Sequence, residues 1–306
     1  MNVLLPHIAA RVFNTPLMVD AGKAVAIVAG LGGRLVDGEL VIEGPPALDH
    51  VAFAGGKPSD RMGRLGFSER LEARGRTDEL LTMVGSTALI SIEGSLVHKG
   101  AWVGSFSGET SYQGIQAQVT RARVDDRVRA VVFEVDSFGG EVSGAFDTAE
   151  AIAELSADKP TVAILTDHAL SAGYLLASAA RQIVLPETGY AGSIGVIAMH
   201  VDFSRAIEND GMRVTVVTAG ARKDEGSPFK PLAADVIARW RDDLEASREL
   251  FASTVARYRG RRLSKKAALE TEAGVFRGQA AVDAGLADGV VRPTTAFAEF
   301  IQRVSR

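Results

Sequence analysis

From Thr87 onward the chain switches repeatedly between two hydrophobic rhythms. Thr87–Val97 (TALISIEGSLV), Arg129–Val135 (RAVVFEV) and Thr161–Leu165 are short apolar runs rich in β-branched residues. That is the mark of strands buried on both faces. Between them apolar residues recur at helical spacing. Ile115, Val119 and Ala122 do so in Tyr112–Arg123, and Ala145, Ala149, Ile152 and Leu155 do so in Glu141–Leu155. Ser171–Ala180 reads as a helix of small residues. Gln182–Leu185, Val196–Met199 and Arg213–Val217 read as further strands, and Ala233–Arg259 as a long amphipathic helix. Strands separated by helices predict an α/β fold with a largely parallel sheet.

The first 85 residues lack this rhythm. Leu4 to Phe13 and Asp20 to about Leu31 predict two helices, the second with Asp20 as N-cap and Gly32-Gly33 as its stop. Residues 36–58 are rich in Gly and Pro and predict loops and short strands. Arg61 to Arg76 is a charged, Gly-interrupted stretch suited to a linker. The expected organisation is an N-terminal extension and linker over 1–85, a main domain over 86–293 and a C-terminal helix over 294–306. In that last helix Phe297, Phe300, Ile301 and Val304 form an apolar stripe that packs on the parent domain.

Composition narrows the classes. Over 306 residues, 46% are hydrophobic and 24% charged, a globular mix that can bury a large core. A net charge of -4 argues against a broad nucleic-acid face. There is no cysteine, so disulfides, thiolate nucleophiles and Cys-bound zinc are excluded. The five histidines have no metal-ligand spacing, and no metal or other cofactor is expected. No apolar run spans a bilayer, and the N-terminus lacks signal-peptide character, so an unanchored, unexported protein is expected.

Four short motifs can carry chemistry. Asp136-Ser137-Phe138-Gly139-Gly140-Glu141-Val142 falls where a strand is expected to turn into a helix. Its glycines allow a tight turn and bring backbone N–H groups near a ligand. Alone, it is equally a turn without function. Asp167-His168-Ala169-Leu170-Ser171-Ala172-Gly173-Tyr174 also opens a helix. Ser171 read alone is more often an N-cap than a nucleophile, though Ala172-Gly173 leave room for a substrate backbone. His168, three residues away, reads as a loop histidine rather than its base. Gly192-Ser193-Ile194-Gly195 is a turn that enters a strand. Among eight lysines, Lys223 lies in a loop between a strand and the long helix. A lysine serves as base only when its pKa falls toward ~7–8. Asp224 and Glu225 oppose that unless they face away.

In order and spacing, D-S-F-G-G-E-V, L-S-A-G-Y, G-S-I-G-V and K-D-E-G-S-P resemble the signal peptide peptidase A family of Ser–Lys peptidases. Val275-Phe276-Arg277-Gly278-Gln279-Ala280 and Gly285-Leu286-Ala287-Asp288-Gly289 extend the likeness, which covers about Thr87 to Val291. It implies a ClpP/crotonase-like fold. It also implies Ser171 as nucleophile, Lys223 as general base and Ser193 as the residue that orients the lysine. The N–H groups of Gly139 or Gly140, with that of Ala172, would form the oxyanion hole. Phe138 stands where the family usually has proline.

The opening Leu5-Pro6-His7-Ile8-Ala9 through Phe13-Asn14-Thr15-Pro16-Leu17 is similar to that of phage and prophage head-maturation peptidases of this family. The resemblance implies a homo-oligomeric serine endopeptidase without a membrane anchor. Its substrates would be polypeptides such as capsid, scaffold or portal proteins, in the host cytoplasm or the prohead interior. Three other readings remain: a bacterial peptide-degrading relative, a catalytically silent capsid scaffold, and a crotonase-type acyl-CoA enzyme.

Overall fold

The structure, a computed structural model, describes residues 12–20, 80–100, 103–106 and 108–305. The helices expected over Leu4 to Phe13 and from Asp20 to Leu31, and the segments 36–58 and Arg61 to Arg76, lie outside the described residues, apart from residues 12, 13 and 20.

The strands in chain order are β1 (Leu17–Val19), β2 (Thr82–Val84), β3 (Thr87–Val97), β4 (Ser105–Phe106), β5 (Glu109–Ser111), β6 (Ala130–Glu141), β7 (Thr161–Leu170), β8 (Gln182–Leu185), β9 (Tyr190–Gly192), β10 (Val275–Arg277) and β11 (Gly289–Val290). They form one sheet along the path β10-β9-β7-β6-β3-β5-β4. β3, β6 and β7 are parallel to one another and form its centre. The outer edge of β7 is shared: its first half pairs with β8 and its last residues with β9.

Between these strands run helices α1 (Tyr112–Val124), α2 (Ala145–Asp158) and α3 (Ala172–Ser178). Ser111 caps α1 by accepting from the N–H of Gly114 at 2.9 Å, and Arg121 and Arg123 complement the dipole at its far end. The alternation of each central strand then sorts its side chains to two cores. Val131, Phe133, Val135, Ala163 and Leu165 face α1, α2 and α3 in the larger core. Val132, Val162 and Ile164 face the opposite side. Every residue of α3 is buried, which suits its all-round apolar and small sequence.

After β9 come α4 (Ser204–Asn209), α5 (Ala234–Arg259), α6 (Lys265–Glu270), α7 (Gln279–Asp283) and α8 (Pro293–Val304). α5 starts one residue after the start expected from its periodicity. Its C-terminal half docks Phe251, Ala252 and Val255 in the larger core. There the fully buried Arg259 donates to Asp288 and to the carbonyl of Gly285. α8 begins with Pro293 in its first turn and lays Phe297 and Phe300 on the second face of the sheet, where the terminal stripe was expected to pack.

Two expected strands do not form. Val196–Met199 contributes only an isolated antiparallel bridge, from Ile197 to Leu17. Arg213–Val217 is neither helix nor strand and is exposed throughout. Its alternation predicted a strand, but no described backbone lies alongside to complete a ladder.

Candidate active site

Ser171 is the single residue between the end of β7 and the start of α3. Its backbone adopts φ 53 and ψ -121, a region that suits glycine; Gly278 takes nearly the same angles before α7. Holding serine there costs roughly 1–3 kcal/mol. The N-cap alternative fails, because the Ser171 side chain makes no capping hydrogen bond. Instead Oγ points at the carbonyl of Gly195, at a long 3.4 Å. Ser171 is completely buried.

The first wall beside Ser171 is the end of β6. The diglycine was expected at a strand-to-helix turn, but β6 runs through Gly139 and Gly140 to Glu141, and α2 starts only at Ala145 after a left-handed Gly144. The glycines serve close approach rather than reversal. A Cβ on Gly140 would fall 1.9 Å from the carbonyl oxygen of Leu96 on β3. Gly139 has φ +100, and a Cβ there would meet the Met18 carbonyl oxygen at 2.0 Å and Ser171 Cβ at 3.0 Å. The N–H of Gly139 donates to Ser137 Oγ at 3.1 Å, and that hydroxyl donates to the carbonyl of Gly94 at 2.6 Å. In this state the Gly139 N–H is therefore engaged. Gly173 keeps α3 against Ser137, whose carbonyl oxygen would lie 3.0 Å from any Cβ there.

The second wall is the turn after β9. The Gly192 carbonyl accepts from the Ser171 N–H at 2.9 Å, so the Gly192–Gly195 turn wraps the serine. Ser193, 8% exposed, also has a positive φ of 56, fixed by its N–H donating to Gly274 and its carbonyl accepting from Gly195, both at 2.9 Å. Ser171, Ser193, Gly139 and the start of α3 at Ala172 thus share one locality.

Lys223 stands apart. It lies in the turn between Gly220 and Gly226, its N–H bonded to the Gly220 carbonyl at 3.1 Å and its side chain exposed. Its ammonium has no hydrogen bond or ion pair among the described residues. The neighbouring carboxylates do face elsewhere, as a basic lysine needs. Asp224 pairs with Lys230, which holds its carboxyl below the usual range, and Glu225 pairs with Arg222 and Arg239.

Several residues at the site escaped the sequence reading. His168 is not in a loop. β7 extends five residues past the expected Leu165, and His168 lies on it, stacked between Phe138 at 4.3 Å and Tyr190 at 5.4 Å. Its Nδ1 lies 3.4 Å from Asp136 Oδ1. The stack anchors Phe138, giving the strand before Gly139 a stiffness that a proline there would supply through its ring. Asp136, Asp167 and His168 bring ligand atoms within 4.8 Å of one another, a donor set able to hold a cation. They fall where the pairing of parallel neighbours β6 and β7 shifts register, between Val135–Leu165 and Ser137–Ala169, which no local sequence pattern shows. β1, discussed below, was also missed.

A model of peptidase family S49 matches residues 153–305, which include Ser171, Ser193 and Lys223 but not the diglycine. The chain is 34% identical over 300 residues to the capsid assembly protease C of Escherichia phage lambda, covering 96% of this chain and 64% of that protein. It is 35% identical over 294 residues to the head-tail preconnector protein GP5 of Enterobacteria phage P21, covering 96% of this chain and 56% of that protein. The chain thus spans somewhat over half the length of these relatives. Among solved structures it is similar to the 1510-N membrane-bound stomatin-specific protease, at 15% identity, a TM-score of 0.40 and coverage of 69% of this chain and 77% of that one.

Proposed function

We propose that this chain, which belongs to peptidase family S49, is a serine endopeptidase that cuts capsid, scaffold or portal polypeptides during phage head maturation. The carrying observation is Ser171: a serine in a glycine-like conformation at a strand-to-helix junction, uncapped and wrapped by the Gly192–Gly195 turn. Strain of this kind persists where surrounding structure holds it, and it concentrates at working residues.

In the proposed reaction neutral Lys223 takes the Ser171 hydroxyl proton as Oγ attacks the scissile carbonyl. The N–H groups of Gly140 and Ala172, with that of Gly139 once Ser137 releases it, receive the developing oxyanion. Each such donor is typically worth a factor of roughly 10²–10³ in rate. The lysine then returns its proton to the leaving amine, and water hydrolyses the acyl-enzyme. Ser193 orients the Lys223 amine.

Lys223 reaches this arrangement by assembly. It follows Met212, Val214, Val216 and Val217, which are 46%, 44%, 48% and 91% exposed, a run of exposed apolar side chains. A second copy covering this run gives the homo-oligomer and excludes water from the Lys223 turn. Among the described residues no helix is long and apolar enough to cross a membrane. The reading places the enzyme in the host cytoplasm or prohead interior.

The test is cleavage of a purified capsid or scaffold polypeptide by the native chain, Ser171→Ala and Lys223→Met. Both variants are expected to lose at least ~10³-fold in kcat/KM. Full cleavage by Ser171→Ala overturns the reading.

A further inference from the structure

β1 lies in the gap between the two walls of Ser171. One edge pairs antiparallel with the end of β6, Leu17 opposite Glu141, Met18 opposite Gly140 and Val19 opposite Gly139. The Asp20 N–H continues the ladder to the Phe138 carbonyl at 3.0 Å. The other edge meets the segment after the Gly192–Gly195 turn: Leu17 and Ile197 exchange N–H···O bonds of 2.8 and 2.9 Å, and the Asn14 N–H donates to Met199 at 2.9 Å. Asn14 Nδ2 also donates to the Gly226 carbonyl at 2.8 Å, tying the segment to the turn that carries Lys223.

The strand sits directly at the nucleophile. The Met18 carbonyl carbon and Ser171 Cβ each lie 3.0 Å from the position a Cβ on Gly139 would take. Met18 is fully buried in the larger core, while Leu17 and Val19 pack with Ile197 and Met199. An extended segment held by main-chain bonds, with alternate side chains in separate pockets, is how sheet edges bind peptides. Ser171 is completely buried with β1 seated beside it.

We propose that β1 is a built-in occupant of the peptide groove. Substrate takes the same place as an extended strand antiparallel to the end of β6, with a long apolar side chain in the Met18 pocket, and it binds only when β1 is displaced. The proposal rests on the reading of Ser171 as nucleophile, and its test separates the two.

The chain has no cysteine, so a single engineered disulfide can lock the strand without competing thiols. Leu17 and Ile197 form a hydrogen-bonded antiparallel bridge, whose Cα separation of about 5.5 Å is within disulfide reach. In the full chain carrying Leu17→Cys and Ile197→Cys, oxidation is expected to slow cleavage of a fluorogenic peptide with a central methionine at least tenfold, and reduction to restore it. The Leu17→Cys variant alone shows no such response. An oxidised rate equal to the reduced rate overturns the proposal. In a Ser171→Ala background, fluorescence anisotropy of the same labelled peptide reads occupancy without chemistry: oxidation is expected to weaken binding at least tenfold, and unchanged affinity overturns self-occupancy whatever Ser171 does. Should the reduced double variant neither bind nor cut, Met18→Ala in the native chain decides. Tighter peptide binding supports the occupant, and equal or weaker binding overturns it.

Discussion

Replacing Ser171 by glycine and by alanine separates strain from chemistry. Both changes remove Oγ, whose one hydrogen bond, at 3.4 Å, is too long to contribute much. They differ in backbone freedom. At φ 53 and ψ -121 alanine keeps the strain that serine bears, whereas glycine does not. Relief is worth roughly 1–3 kcal/mol, and the greater entropy of an unfolded glycine costs about 0.5–1 kcal/mol. The balance leaves Ser171→Gly more stable than Ser171→Ala by about 1 kcal/mol, enough for a Tm difference of roughly 2 °C in a chain of this size. At an ordinary position the order is the reverse. Urea unfolding of both variants followed by circular dichroism, with peptide cleavage measured in parallel, provides the check. Both variants are expected to be inactive, with glycine unfolding at the higher urea concentration. Alanine equal to or above glycine would refute the claim that Ser171 is held under strain.

Other parts of the structure make equally direct predictions. Arg259→Ala leaves half-buried Asp288 without its bidentate partner and should cost about 3 kcal/mol in urea unfolding; Arg259→Lys should not restore it, because an ammonium cannot reproduce the fork. Burial opposes ionisation of Asp288, but hydrogen bonds and charge from Arg259 hold its carboxyl below the usual range. That pairing therefore stabilises the fold above about pH 4 and is lost as pH falls through the depressed value, so acid titration should close the gap between native and Arg259→Ala proteins. Gly140→Ala drives a Cβ into the Leu96 carbonyl and should destabilise by about 3 kcal/mol or abolish soluble expression. Phe138→Ala removes the stack on His168; it should cost about 1 kcal/mol in stability and lower kcat/KM by loosening the end of β6 at Gly139.

The α/β class was legible because β3, β6 and β7 are near-continuous apolar runs and α2 carries a clean stripe of Ala145, Ala149, Ile152 and Leu155. The ClpP/crotonase-like fold was an expectation from the ordered motifs. α5 and α8 were visible from periodicity alone. What escaped depended on partners distant in sequence. Gly139-Gly140 reads locally as a turn, and only the approach of Leu96 and Met18 shows why a strand needs two glycines there. β1 is three residues long, with β6 partners 120 to 124 positions away, so no local pattern announces it. Arg213–Val217 has the alternation of a strand, but alternation does not supply a neighbour. Ser171 alone favoured a cap, and the absence of a side-chain capping bond reverses that preference. Asp224 and Glu225 argued against Lys223 until their partners Lys230 and Arg239 were seen.

The central claim is that Ser171 is the nucleophile and Lys223 the group that activates it. Intact-mass analysis and peptide mapping after incubation with a peptidyl fluorophosphonate test it most directly. One adduct per chain is expected, on Ser171, absent from Ser171→Ala and slowed at least tenfold in Lys223→Met. An adduct on another serine, or undiminished labelling of Ser171 in Lys223→Met, would contradict it.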